Sequence, residues 1–255
     1  MTAPRSRGRL YLVPAPLDFG CAVSAPLNQV LPTGTIATAA ALAHWICENA
    51  KSARAMLKRI GEVQPLAVPV REQEIIELPR QVHKKGDHDG GFDASLLLAP
   101  ALAGHDMGLL SEAGMPAVAD PGSSVVRAAH DLGIAVLPLV GPASLLLALA
   151  ASGLNGQNFA FVGYLPQDAA GRTRRLRELE SLASGGQTQL FIETPYRNLA
   201  LWDALLKTLK PATRLAVGAG LTLPAGATRC MAVAAWRREP APLANDTPAV
   251  FAIGR

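Results

Sequence analysis

Gly108-Leu109-Leu110-Ser111-Glu112-Ala113-Gly114-Met115-Pro116-Ala117-Val118-Ala119-Asp120-Pro121-Gly122 is the stretch from which the fold reads outward. It continues a short apolar run, residues 107–110, of the kind that forms a buried strand. Two turns bearing Gly and Pro follow, Ala113-Gly114-Met115-Pro116 and Asp120-Pro121-Gly122. Ser123 and Ser124 then stand where caps belong, ahead of a helix that begins Val125-Val126-Arg127. A strand that empties through a stiff loop into a helix places backbone groups at the carboxyl edge of a sheet, where open α/β folds bind ligands. Gly114 would let the backbone approach a ligand closely, and Pro116 and Pro121 limit how far the loop relaxes. An ordinary strand-to-helix turn is the competing reading. The doubled turn, with Glu112 and Asp120 in it, puts a ligand site on an equal footing.

Composition narrows the class. The chain has 255 residues, 49% of them apolar and 17% charged, enough for a large core and too apolar for disorder. Its longest apolar segment, residues 143–151, is too short for a membrane span. The basic start, Arg5-Ser6-Arg7-Gly8-Arg9, runs straight into a strand without a signal-peptide pattern. Cys21, Cys47 and Cys230 show no metal spacing and fit a reducing cytoplasm. The net charge of +4 permits a phosphate-bearing partner without requiring one.

Strands are expected at residues 9–13, 44–47, 66–68, 107–110 and 134–139, alternating with helices at 37–43, 50–60, 93–103 and after Gly122. That alternation predicts right-handed crossovers and a mostly parallel sheet. The polar segment 72–91 reads as the mobile loop of this half. Val140-Gly141-Pro142-Ala143-Ser144 is the boundary, giving an N-terminal α/β domain over 1–140 and a C-terminal one over 141–255. The second set runs strand 159–164, helix 172–183, strand 188–193 and helix 195–209, the last with Leu199, Trp202, Leu205, Leu206 and Leu209 at helical spacing. Strands at 215–221, 229–236 and 249–253 leave no room for crossover helices, so this sheet is expected to be mixed.

Several chemistries are set aside. The chain has no phosphate-binding Gly-x-x-x-x-Gly-Lys-Ser/Thr loop, no Gly-x-Gly-x-x-Gly after the first strand and no Gly-x-Ser-x-Gly nucleophile turn. His83 and His88 alternate with Asp87 and Asp89, which reads as a solvated loop before it reads as a metal site. Phe191-Ile192-Glu193-Thr194-Pro195-Tyr196-Arg197 is a second motif. Thr194 suits a helix cap and Pro195 a first helical position, but Glu193 and Arg197 need another account: a surface ion pair or a ligand contact. Gly141-Pro142-Ala143-Ser144 offers helix-start amides to a ligand carboxylate. Arg172, Arg174, Arg175 and Arg177 share one helix. They read as a solvated face or a nucleic-acid contact, without interleaved aromatic residues to make a single-strand platform.

Taken together these motifs resemble the tetrapyrrole-methylase superfamily, the class III S-adenosylmethionine-dependent methyltransferases, and within it the branch of small-subunit ribosomal RNA ribose methyltransferases. The branch's S-D-A-G-T-P and S-D-P-G stand here as Ser111-Glu112-Ala113-Gly114-Met115-Pro116 and Ala119-Asp120-Pro121-Gly122. Its P-G-P-S-A is Val140-Gly141-Pro142-Ala143-Ser144, its E-S-P-H-R is Glu193-Thr194-Pro195-Tyr196-Arg197, and its A-E-D-T-R is Cys47-Glu48-Asn49-Ala50-Lys51. Glu112, Met115, Tyr196 and the pair Asn49-Ala50 depart from the pattern, and Arg255 comes before the C-terminal extension the branch often carries.

The resemblance implies a two-domain class III fold and S-adenosylmethionine as cofactor. It implies cofactor contacts at Ser111, Glu112, Gly114, Met115, Pro116, Ala119, Asp120, Pro142, Ala143, Ser144, Ile192 and Glu193. Methyl transfer from a sulfonium needs alignment and a dry site, and no metal or nucleophile. Glu193 and Arg197 are the candidate catalytic residues. Ribosomal RNA is the implied acceptor, in a cytoplasmic homodimer. A small tetrapyrrole-like acceptor, or a non-catalytic S-adenosylmethionine-binding regulator, are the alternatives.

Overall fold

The structure, a computed structural model, describes residues 6–80, 82, 87, 88 and 90–255. The chain divides into two compact units: residues 1–19 with 25–142, and residues 20–24 with 143–255.

The first unit is built on five parallel strands in the order β3-β2-β4-β1-β5. They are β1 Leu10–Val13, β2 His44–Cys47, β3 Glu74–Glu77, β4 Met107–Leu110 and β5 Val136–Pro138. Side chains alternate between faces along a strand. Trp45, Cys47, Val13 and Leu110 therefore enter one core, with Ile36 of helix Thr33–Ala41 and Leu57 of helix Ala50–Val63. Ile46, Leu10, Met107 and Leu109 enter the other, with Val125 and Ala129 of helix Ser123–Asp131. Covered on both faces, β4 is buried at every residue, the pattern expected of a parallel sheet. Gly108 is needed inside it: a Cβ there would lie 2.4 Å from Cζ3 of the fully buried Trp45.

The third strand is not at 66–68. That segment is irregular, tied by Ala67 N donating to Ala40 O at 2.8 Å. The strand is Glu-Ile-Ile-Glu at 74–77, inside the segment expected to be a mobile loop. An edge strand needs few apolar residues, and here only Ile75 and Ile76 face partly inward, so its polar ends concealed it. The helix expected at 93–103 is a 3-10 turn, Ser95–Leu98, running into a short α-helix, Ala99–Leu102.

The second unit carries a mixed sheet in the order β6-β7-β10-β8-β9. Its strands are β6 Phe159–Tyr164, β7 Thr188–Ile192, β8 Arg214–Ala219, β9 Ala227–Ala232 and β10 Ala249–Gly254. Only β6 and β7 are parallel; the other pairs are antiparallel. Phe191, Phe251 and Leu215 pack toward helices Ala169–Ser184 and Asn198–Thr208. Leu190, Val250 and Ala216 pack toward helix Ser144–Ser152. Along Asn198–Thr208 the inward residues are Leu201, Trp202 and Leu205, while Leu199, expected inside, is exposed. The strand expected to reach residue 236 ends at Ala232, and Val233–Trp236 turns helical. That turn buries Trp236, whose Nε1 donates to Leu215 O at 2.8 Å and whose ring meets Trp202 edge-on at 5.0 Å. Among the described residues no helix is long and apolar enough to cross a membrane.

Candidate functional site

In the first unit the carboxyl ends of β1, β4 and β5 converge. Ala15, just past β1, exchanges two backbone hydrogen bonds with Gly114, 2.8 and 3.0 Å long. A Cβ on Gly141, past β5, would lie 2.2 Å from Pro14 Cγ, so only Gly fits there. Thr35 Oγ1 donates to Val140 O at 2.7 Å and anchors the same joint. The motif loops around Gly114 and Pro142 therefore meet over Pro14 and Ala15. Gly114 is required for its φ of +69°, not for bare access to a ligand, because its N–H and C=O are both taken by Ala15.

The loop beyond Gly114 is held under strain. Ala117 and Ala119 sit at φ of 63° and 65°, and Gly122 at 133°. Non-glycine residues in the left-handed region cost of order 1 kcal/mol each and persist only where surroundings dictate them. Ser111 is buried at its start, and Val118 N returns to Met115 O at 3.3 Å. Glu112 accepts from Ser52 Oγ at 2.8 Å. Ser52 in turn lies in the first turn of the helix that Asn49 caps, by accepting from Lys51 N and Ser52 N. Asn49 thus does structural work that its departure from the family pattern leaves intact.

The far end of the loop is fixed by a residue that the sequence reading placed in solvent. The helix after the loop has Gly122 at its N-cap and takes no cap from its own side chains, contrary to the role expected of Ser123 and Ser124. Asp87, 2% exposed, supplies it. Its carboxylate accepts from Gly122 N at 2.9 Å, Ser124 N at 2.8 Å, Ser123 Oγ at 2.7 Å and Ser124 Oγ. Arg127 donates back to Asp87 O at 2.9 Å. Burial alone would raise this carboxyl's pKa, but those hydrogen bonds outweigh it and hold it below the usual carboxylate range. Of the neighbouring residues in the suggested metal cluster, His83 and Asp89 lie outside the described residues. Among the described residues no His/Cys/Asp/Glu group is arranged to hold a metal ion.

Asp87→Ala is expected to destabilise the protein by about 3 kcal/mol, through loss of a cap and stranding of buried donors. The contribution of the wild-type carboxylate is present above its unfolded pKa and is lost as pH falls through the lowered folded value. The gap between variant and parent, read by urea unfolding, should therefore shrink in acid.

Three carboxylates gather at this edge. Asp120, in the strained loop, has its pKa raised to about 7, first by burial and then by the charges of Glu48 and Glu112. Beside them Cys47 is pushed up to about 12, by burial and then by Glu77, so its thiol stays protonated and is no nucleophile. A carboxyl whose pKa is raised by burial and then by neighbouring carboxylates favours any cation that joins it. This donor set fits the sulfonium and the ribose hydroxyls of S-adenosylmethionine.

In the second unit, Ala143 is the N-cap of Ser144–Ser152 and makes no side-chain cap. The first amides of this nine-residue helix thus lack the carboxylate that Asp168 brings to Gly171 N, at 2.6 Å, in the helix Ala169–Ser184. At the end of β7, past Ile192, Glu193 is 8% exposed. Its Oε1 accepts from Thr194 N at 2.8 Å, Thr194 Oγ1 at 3.2 Å and Arg197 Nε at 3.0 Å, and Arg197 NH2 lies 2.9 Å from it in an ion pair. Thr194 caps no helix; its hydroxyl joins this cluster and accepts from Arg197 Nε at 3.0 Å. The ion pair offered by the sequence as a surface one joins a buried carboxylate to a half-buried guanidinium.

Of the residues that the resemblance marked, Ser111, Glu112, Gly114, Met115, Pro116, Ala119, Asp120 and Pro142 belong to the first unit. Ala143, Ser144, Ile192, Glu193 and Arg197 belong to the second. Sequence reasoning missed Asp87 and Ser52. A glycine at the N-cap position, which cannot cap itself, was the available signal for Asp87.

An α/β pair of units, the first all-parallel with a strained acidic loop at its carboxyl edge and the second mixed, defines a class III methyltransferase fold. The family model of tetrapyrrole (corrin/porphyrin) methylases matches residues 35–230, and the chain belongs to that family. Among its relatives, a protein named ribosomal RNA small subunit methyltransferase I from Mesorhizobium japonicum is 32% identical over 213 residues, 84% of this chain and 63% of the relative. The protein of the same name from Escherichia coli O157:H7 is 27% identical over 82% of this chain and 63% of its own length. The chain thus spans just under two thirds of these relatives. Among solved structures, uroporphyrin-III-C-methyltransferase from Thermus thermophilus matches with a TM-score of 0.53 at 20% identity, covering 97% of this chain and 94% of that one. The methyltransferase CobJ matches with a TM-score of 0.59 at 17% identity, over 97% and 94%. Both share the fold.

Proposed function

We propose that this protein is an S-adenosylmethionine-dependent methyltransferase whose acceptor is RNA, at a ribose 2′-oxygen, working as a cytoplasmic homodimer. The observation that carries the reading is the strained loop Ser111–Gly122. It is clamped at one end by the Ala15–Gly114 bridge and at the other by Asp87, and it holds Asp120 against Glu48 and Glu112. S-adenosylmethionine, when bound, supplies an activated methyl group on a positively charged sulfur. This chain's part is to bind and align. Glu112 and Asp120 complement positive charge and accept hydroxyl hydrogens. In the first unit rigid turns at Met115-Pro116 and Pro142 flank that loop, and in the second unit the amides past Ala143 suit a carboxylate. Glu193, its Oε1 engaged by Arg197 and Thr194, keeps Oε2 for a donor on cofactor or acceptor.

RNA is favoured by charge. Half of the 24 basic residues but only 7 of the 20 acidic ones follow Pro142, so the positive excess is confined to the second unit. The names of the relatives point the same way. Cys21, Cys47 and Cys230, none of them in a disulfide, suit a reducing compartment, and Leu146 and Leu147, exposed on an almost wholly apolar helix, suit a covered subunit surface.

Incubation with methyl-tritiated S-adenosylmethionine and small ribosomal subunits from a strain lacking the protein tests this. Label is expected in RNA, within dinucleotides that resist alkaline hydrolysis, because a methylated 2′-oxygen cannot attack the adjacent phosphate. Label in alkali-sensitive nucleotides would move the acceptor atom to a base. Absence of label from RNA would remove the RNA reading.

A further inference from the structure

Two of the chain's three tyrosines are more than half exposed at the carboxyl edge of the second unit's sheet. Tyr164 ends β6, and Tyr196 lies in the turn Pro195–Arg197 that follows β7. β6 and β7 are parallel neighbours, so both tyrosines leave the sheet at carboxyl ends. Tyr164 is 55% and Tyr196 67% exposed, whereas Phe191, Phe251, Trp202 and Trp236 are buried in the core beneath.

This placement is built into the backbone. The register of β6 against β7 shifts between Phe161 and Tyr164, and Gly163 takes φ of +71° inside that shift. Such a bulge re-aims the side chain that follows it. Over the Tyr196 ring, the Arg197 guanidinium lies 5.2 Å from the centroid, with the tyrosine still 67% exposed. Glu193 holds that guanidinium with a hydrogen bond of 3.0 Å and an ion-pair contact of 2.9 Å, so ring and cation are pre-organised together. An exposed ring beside a fixed cation, in the unit that holds the positive excess, is the arrangement that takes up unpaired nucleobases. Stacking uses the π-face that every base presents, and the cation adds attraction without reading sequence.

From this we infer that Tyr196, with Tyr164, forms a stacking platform for unpaired bases of a single-stranded RNA acceptor, set by the Glu193–Arg197 pair. The inference rests on the RNA reading above and deepens it. No aromatic residue lies among Arg172–Arg177. The platform is instead assembled from two strand ends.

Anisotropy of a short fluorescein-labelled single-stranded RNA, and of the same strand made abasic, tests it directly and needs no methyl transfer. Tyr196→Ala is expected to bind the intact strand about tenfold more weakly, with an unchanged melting temperature. Tyr196→Phe should bind like the parent, and Tyr164→Ala should show a smaller loss. The preference for intact over abasic RNA should collapse in Tyr196→Ala, while the slope of log Kd against log salt stays the same, since no phosphate contact is removed. If the parent binds RNA with a preference for intact bases and Tyr196→Ala keeps it, the platform alone is overturned. A parent that binds no RNA overturns both readings. Unchanged RNA affinity with a lowered mass in light scattering would make the edge a subunit interface and also overturn the platform.

Discussion

Asp120→Asn is expected to make the protein more stable at neutral and alkaline pH while weakening its hold on S-adenosylmethionine. Burial and the neighbouring charges of Glu48 and Glu112 lift the Asp120 pKa to about 7. A carboxyl whose folded pKa lies above its unfolded one stabilises the protonated protein, and that stability is lost as pH rises through the folded value. The parent therefore carries a cost that is nearly absent at about pH 4, grows toward pH 7 and stays constant above it. The upper bound is about 4 kcal/mol, lowered by whatever part of the side chain still reaches solvent. Asparagine keeps the shape and removes the charge. Thermal unfolding at several pH values should show the variant's advantage opening between those limits. Titration calorimetry should show weaker binding of the cationic cofactor at about pH 8. Equal melting temperatures at alkaline pH would mean that the carboxylate is well solvated. A stabilised variant with unimpaired affinity would detach Asp120 from the ligand site. Stability gained with affinity lost is the pattern of a site kept strained for function.

Arg197→Met carries the second large effect, and its cost in stability exceeds the expectation for a surface pair. An exposed ion pair contributes about 1 kcal/mol or less, so on that reading the melting temperature would hardly move. The Glu193 side chain, however, is only 4% exposed, and removing its guanidinium strands a buried carboxylate, which costs about 3–5 kcal/mol. Arg197 Nε donates to Oε1 and NH2 pairs with the same oxygen at 2.9 Å, and Oε1 also takes both bonds from Thr194. The double variant Glu193→Gln/Arg197→Met should recover much of the loss, since it leaves no unpaired charge behind. A double-mutant cycle by chemical denaturation measures the coupling. A single variant as stable as the parent would return the pair to the solvent-exposed class. Because Arg197→Met perturbs the fold, the part played by the pair in transfer is better read with Arg197→Lys. That change keeps the charge and removes the planar fork.

Periodicity and punctuation carry the architecture. The continuous apolar run at Met107–Leu110 means burial on both faces, hence a parallel sheet. The crowding of strands after Leu209 leaves no room for crossovers, hence a mixed sheet. The order of the glycine- and proline-bearing turns is local information, and family membership follows from it. A weak, half-exposed edge strand leaves little trace, because β3 buries too little to need more than Ile75 and Ile76.

What the sequence alone determined is which segments turn, which bury and which face of each strand is apolar, since those depend on neighbours within a few positions. What only the tertiary structure decided is the electrostatic state of the site. Asp87 reaches across 35 residues to cap a helix begun by Gly122. Asp120 acquires its perturbed carboxyl from burial and then from Glu48 and Glu112, and Glu193 is buried against a half-buried Arg197. The charge state of a carboxylate is set by the water and charges around it, and long-range packing, not local spacing, brings those together.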